Sequence, residues 1–242
     1  MRFSFITPAY NEAAYLPRLL DSVEIARHAY RGGSGQIEVI VADNCSTDAT
    51  ATLAAERDCR VVRVEKRRIG AARNGGAAVA SGEILCFCDA DMRIHPSTFN
   101  VIEDTLASTS FVAGATGITP EKWNLGFAVT YALLVPLVAL MRMDTGVVFC
   151  RREDFQTIGG YGETRRFAED VDFLLALKKL GKTRGQRLVR ATSAKAIASL
   201  RKFDEHGQWH YFPLMFRGAL ALWRGEKGLE DFADRYWYRP KR

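Results

Sequence analysis

Carboxylates recur in this chain where the backbone turns after a short run of apolar and β-branched residues. Phe3 to Thr7 is followed by Pro8, Tyr10, Asn11 and Glu12. Ile37 to Ala42 is followed by Asp43, Asn44, Ser46 and Asp48, and Glu83 to Cys88 by Asp89, Ala90 and Asp91. Acids and amides in this pattern suit ligands rich in hydroxyl and amide groups, together with a hard cation that prefers oxygen. They do not suit a phosphate cradle of glycines, and no GxGxxG follows the first run. A further acidic pair, Glu169 and Asp170, stands in the first turn of an apolar-periodic segment, where a helix dipole favours anions.

These acids need a scaffold that brings several strand ends to one edge. Glu12 to His28 carries Leu16, Leu19, Leu20, Val23 and Ile25 at helical spacing. Arg31 to Gly35 is a glycine-rich break, and Ser46 or Thr47 is placed to cap a helix running through Arg57. Cys59 to Val64 reads as a third strand, Gly70 to Ala80 as a helix of small residues, and Ala168 to Leu180 as a helix that Gly181 ends. Strands alternating with helices predict an α/β domain with a mostly parallel sheet covered on both faces. Ligands of such sheets sit beyond the carboxyl ends of the strands.

The 242 residues are 48% hydrophobic and 26% charged, which excludes a disordered chain. A net charge of +6 points to a polyanionic partner: nucleic acid, an acidic membrane face or a phosphorylated substrate. The basic residues gather at Lys66, Arg67, Arg68 and Arg73, and again from Arg184 through Arg187, Arg190, Lys195, Arg201 and Lys202. The cysteines (Cys45, Cys59, Cys86, Cys88 and Cys150) are odd in number and lack zinc spacing, so reduced thiols and a cytoplasmic setting are expected. The first residues contain no secretory h-region.

Leu125 to Met141 is uncharged and contains Pro136. It falls short of the roughly 20 residues of a spanning helix. A crossing would also separate Asp89 and Asp91 from Glu169 and Asp170, so a core helix or one at a membrane interface is expected. Phe203 to Tyr238 interleaves aromatics with Arg217, Arg224, Lys227 and Arg235, which suits either a packed helix or a surface resting on anionic lipid.

Taken in order, these residues resemble family 2 glycosyltransferases. Ile6-Thr7-Pro8-Ala9-Tyr10-Asn11-Glu12 is similar to that family's opening, and Asp43-Asn44-Cys45-Ser46-Thr47-Asp48 to its D-(D/N)-x-S-x-D motif. Gly70-Ala71-Ala72-Arg73-Asn74-Gly75-Gly76 resembles the helix before the metal motif, and Asp89-Ala90-Asp91 the DxD. Gly146 with Arg151, and Gly159-Gly160-Tyr161, resemble the acceptor-side strand and turn, and Glu169-Asp170 the ED motif. Each motif alone is common. Their joint order over residues 3 to 181 is what carries the resemblance. Ser199-Leu200-Arg201-Lys202 resembles, more weakly, an S-x-R-(R/K) stretch, and the QxxRW motif of processive synthases is absent, which speaks against polymer synthesis.

The resemblance implies a fold of GT-A type: a mostly parallel nucleotide-binding sheet flanked by helices, with a C-terminal helical, aromatic tail. Residues 1–202 would form the catalytic domain, with a donor half at about 1–92 and an acceptor half at about 93–202, and 203–242 would form the tail. It implies inverting, metal-dependent transfer of a sugar from a nucleotide-diphosphate donor, with Mg²⁺ or Mn²⁺ as the cofactor. Asp91 would ligate the metal directly, and Asp89 would touch the metal, its water or the donor ribose. Asp170 would be the base, with Glu169 positioning the acceptor. Pro8, Tyr10, Glu12, Asp43, Gly70, Arg73 and Ala90 would line the donor. UDP is favoured because an aspartate accepts from the uracil imide, while guanine stays open. Arg201, Lys202, His206 and Trp209 would serve the diphosphate or acceptor, and His206 or His210 would complete the metal shell. The acceptor is expected to be lipid-linked or a glycan, the protein to be cytoplasmic, either free or peripheral on the inner membrane face, and no nucleic acid to bind. Transfer to a polyprenyl phosphate and a non-catalytic binding module are the alternatives.

Overall fold

In the computed structural model, residues 1–122, 128–129, 132, 145–164, 169–199 and 201 are described. Its frame is a seven-stranded sheet in the order β3-β2-β1-β4-β7-β5-β8. These strands are β1 (Phe3–Ala9), β2 (Ile37–Asp43), β3 (Arg60–Arg63), β4 (Ile84–Phe87), β5 (Phe111–Ala115), β7 (Val148–Arg151) and β8 (Arg187–Arg190). β1 pairs in parallel with β2 and β4, as do β2 with β3 and β5 with β8. β7 runs antiparallel to both β4 and β5. The carboxyl ends of β1, β2 and β4 therefore share one edge, and the start of β7 joins them there, with Phe87 opposite Val148.

Period-two alternation of apolar side chains lets the central strands feed a core on each face. On one face Phe3, Phe5, Val39, Val41 and Phe149 pack against Leu16, Leu19 and Val23 of α1 (Leu16–His28) and Phe99 and Ile102 of α4 (Thr98–Ala107). On the other, Ile6, Ile40, Phe87 and Val148 meet α3 (Ile69–Val79), α5 (Arg152–Ile158) and Phe173, Leu174 and Leu177 of α6 (Glu169–Thr183). A two-stranded ladder of β6 (Ile118–Pro120) and β9 (Ala196–Ala198) lies beside the sheet. Paired backbone bonds between Arg93 and Ile197 carry the chain after β9 back toward the DxD turn.

Several boundaries differ from the expected ones. α1 begins at Leu16 rather than Glu12, because the Glu12 carbonyl accepts from the N–H groups of Tyr15 (3.0 Å) and Leu16 (2.8 Å) in a tight turn. Pro17 then sits in the first helical turn, where its missing N–H costs nothing. Neither Ser46 nor Thr47 caps α2 (Thr50–Ala55): Ala49 stands at the cap position, and Asp48 just before it accepts from the Thr50 N–H through Oδ1 at 3.0 Å. Gly181 does not end α6 but lies inside it, where a Cβ would meet Val112 Cγ1 at 2.8 Å. The glycine that turns left-handed after the helix is Gly185, at φ +69. Cys86 and Cys88 share one core as free, buried thiols. The expectations for Leu125 to Met141 fall outside the described residues apart from 128, 129 and 132, and those for 203–242 lie wholly outside them. Among the described residues no helix is long and apolar enough to cross a membrane.

Candidate active site

At the shared edge, the loops after β1 and β2 are laced together. The Asn11 N–H donates to Ser46 Oγ (3.0 Å), and Asn11 Oδ1 accepts from the Thr47 N–H (2.8 Å). The Glu12 N–H donates to Thr50 Oγ1 (2.8 Å) and the Ala13 N–H to Asp48 Oδ2 (3.2 Å). Asn11 and Cys45 both take left-handed backbone, at φ 54 and 64. Asn44 Nδ2 donates to the carbonyls of Val64 and Lys66, both at 2.8 Å, and so ties in the loop after β3. Within this wall Asp43 is 4% exposed and its Oδ1 accepts from the Ser46 N–H. Pro8 is buried in β1. Tyr10 projects outward with the Arg67 guanidinium 4.2 Å above its ring. Lys66 pairs with Glu163 and Arg68 donates to the Arg67 carbonyl, so the first basic cluster is drawn into local contacts.

The centre of the site is Arg73. It is 3% exposed although it stands on a helix, because its neighbours are small: Gly70, Ala71, Ala72 and Gly76 let α3 lie close to its surroundings. At Gly70 a Cβ would meet the Gly162 carbonyl oxygen at 2.5 Å, so this glycine admits the 160–162 turn. Asn74 holds that turn, accepting from the Tyr161 N–H (2.8 Å) and donating to its carbonyl (2.9 Å). Gly159 and Gly160 supply the left-handed backbone the turn needs, at φ 80 and 75. Into this enclosure Arg73 extends a guanidinium that meets three carboxylates. Nη1 donates to Glu169 Oε1 (2.8 Å) and lies 2.7 Å from Asp170 Oδ1. Nη2 donates to Asp89 Oδ1 (3.0 Å) and Asp170 Oδ2 (3.2 Å). The Tyr161 ring lies 5.0 Å under the guanidinium carbon and stacks on Phe173 at 3.9 Å. Burial works against the Arg73 charge, but Asp170, Asp89 and Glu169 outweigh it and hold the guanidinium firmly protonated. Burial likewise pushes the Asp170 carboxyl up to about 6, with Arg73 pulling the other way and Glu169 and Asp89 adding to the rise.

A second cation closes the other side. Arg201 forms a bidentate pair with Glu12 (2.9 and 3.2 Å), reaches Asp91 Oδ2 at 3.3 Å, and lies 4.6 Å over the Tyr15 ring. Burial raises the Glu12 carboxyl, Arg201 partly offsets this, and Asp91 and Asp89 add to it. Ala90 is buried between the two aspartates, while Asp89 and Asp91 on either side of it stay partly exposed. Both carboxylates fit a divalent cation in kind, being hard oxygen donors at a strand-end turn. Among the described residues no three or more His, Cys, Asp or Glu form a cage for a metal. Asp89 and Asp91 would therefore share such an ion with oxygens from a bound diphosphate and water.

Glu12, Asp43, Arg73, Asp89, Asp91, Glu169, Asp170 and Arg201 thus come together at or beside one edge, while Lys202, His206, His210 and Trp209 lie outside the described residues. Sequence reasoning missed Tyr15, and it placed Asn74 and Tyr161 in motifs without giving either a role in the site. For Asn74 a signal existed, since it follows Arg73 directly inside the small-residue helix.

This architecture is that of the GT-A glycosyltransferases, and the chain belongs to glycosyl transferase family 2, whose profile matches residues 4–150. An uncharacterized glycosyltransferase of Haemophilus influenzae is 30% identical over 189 residues, covering 72% of this chain and 61% of the relative. The chain thus spans less than two thirds of that relative's length. Among solved structures, the mannosyltransferase PcManGT of Pyrobaculum calidifontis, in complex with GDP-Man and Mn²⁺, aligns with a TM-score of 0.68 at 20% identity, over 98% of this chain and 69% of that one. Staphylococcus aureus TarS 1–349 aligns with a TM-score of 0.64 at 20% identity, over 85% of this chain and 63% of that one.

Proposed function

We propose that this protein is an inverting glycosyltransferase that moves a sugar from a nucleotide-diphosphate donor to an acceptor hydroxyl with the help of a divalent cation. The observation that carries this reading is the convergence of Asp89 and Asp170 on one guanidinium, which sets the metal-motif acid beside the acid at the start of α6. Asp170 accepts the proton of the acceptor hydroxyl as its oxygen attacks the anomeric carbon. The bond from that carbon to the diphosphate oxygen breaks, and its electron pair leaves with the diphosphate. When bound, the cation supplies Lewis-acid stabilisation of that leaving charge, held by Asp91 and Asp89. Glu169 steadies Asp170 through their common partner Arg73. Arg201, at the rim beside Asp91, faces the same leaving charge. The base of the nucleotide sits against the laced wall of Tyr10, Glu12 and Asp43, and UDP is favoured over GDP on the strength of Asp43. The acceptor is lipid-linked or a membrane glycan, a reading supported by the basic aromatic sequence after Phe203.

Calorimetric titration of UDP and of GDP, each with Mn²⁺ and with a chelator, tests this. One nucleotide should bind only with Mn²⁺ present, and Asp91→Ala should abolish that dependence. Binding indifferent to the chelator would remove the metal from the donor site, and binding of neither nucleotide would remove the donor.

A further inference from the structure

We infer that Arg73 is a positioning residue that fixes the base Asp170 against the Asp89 turn, and that it is not a ligand of the donor diphosphate. The inference rests on the glycosyltransferase reading and refines the expectation that Arg73 contacts the donor.

Three observations carry it. The guanidinium is enclosed, at 3% exposure, and both terminal nitrogens already bond to carboxylates. A diphosphate would have to displace those carboxylates and bring its own charge beside them. Nη2 is shared between Asp89 Oδ1 and Asp170 Oδ2, so a single nitrogen sets the separation between the donor-side acid and the acceptor-side acid. The fork is itself held from behind. Tyr161 lies beneath it and stacks on Phe173, which is one helical turn beyond Glu169 and Asp170 on the same face of α6. Arginine's planar fork suits this task, because a lysine offers the same charge as a point and cannot hold two carboxylates at a fixed angle. Arg73 thereby acts on the line of attack, a quantity that governs turnover more than donor affinity.

The test compares the wild type with Arg73→Lys. Release of UDP or GDP is followed from UDP-glucose, UDP-N-acetylglucosamine and GDP-mannose with Mn²⁺, and UDP and GDP affinity is measured by calorimetry. Arg73→Lys should lower kcat by roughly 100-fold, as expected when reacting groups move by about 1 Å. It should leave nucleotide affinity within about three-fold, the signature of an interaction felt in the transition state alone. In an Asp170→Asn background the same change should lower kcat no further, since residues acting as a unit are not additive. Tyr161→Leu takes away the ring beneath the guanidinium together with its stack on Phe173, leaving every charge in place, and it should show the same split with a smaller loss, about 10-fold. It serves as the second variant if the lysine protein is unstable. Wild-type turnover with kcat retained in Arg73→Lys and in Tyr161→Leu overturns this inference alone, and so does a loss of nucleotide affinity as large as the loss of turnover. A wild type that neither binds UDP or GDP nor releases either one overturns the glycosyltransferase reading and the inference with it.

Discussion

Asp170 holds its proton more tightly than an ordinary aspartate, with a pKa of about 6 against a usual 3.8. As the base proposed above it would work only when ionised, so kcat should fall about ten-fold per unit below roughly pH 5 and level off above roughly pH 7. Asp170→Asn should show no such acid limb, and a pH–rate profile checks both. The same shift bears on stability with a definite sign. Between the two pKa values the folded chain binds more protons than the unfolded one. Asp170's contribution is therefore fullest below about pH 4 and is lost as the pH rises through about 6. Thermal melts of the asparagine variant should accordingly compare better with the wild type at pH 7 than at pH 4. At this scale the acids of the candidate site stand out in the sequence, because Asp43, Asp89 and Asp91 come where strands end and Glu169 and Asp170 open a helix. The place of Arg73 does not. Its partner Glu169 is 96 positions away in the chain, and its burial follows from the smallness of its neighbours rather than from its own type.

Among the elements, α3 shows how packing overrides propensity. Alanine is a better helix former than glycine by about 1 kcal/mol, which alone would make Gly76→Ala stabilising. A Cβ at Gly76 would, however, collide with Cγ2 of Ile6, a fully buried and β-branched side chain with little freedom to turn aside. Overpacking of this kind costs about 1–3 kcal/mol, so the clash wins and the midpoint of urea unfolding should drop. The existence and order of the elements from β1 to β4, and of α6, could be read from the sequence, whereas their ends and the elements α4, β5, β6, α5, β8 and β9 could not. α1 starts late because Glu12 turns the chain first, and α6 runs past Gly181 because that glycine answers to Val112 across the interface. Local spacing carries no record of either partner.

For the molecule as a whole, stability should grade across the sheet. β1 is buried along its full length and β4 likewise, while β3 forms an edge with its arginines exposed. Amide hydrogen exchange should be slowest in β1 and β4 and fastest in β3, following the local cost of opening. The parallel alternation predicted from sequence accounts for β1 to β4. The reversal of β7 was not readable, since a four-residue apolar strand looks the same in either direction, and only its pairing with β4 and β5 shows its sense.

The lacing of the loops after β1 and β2 has a thermodynamic consequence. Backbone and side-chain bonds run between residues 11–13 and 46–50, so the two loops form one preassembled surface. A ligand docking there meets a wall whose conformational entropy was surrendered when the chain folded, not at the moment of association. Recognition at this wall should therefore resemble a key entering a finished lock, with selectivity decided by shape and hydrogen-bond match rather than by how readily the loops can reorder.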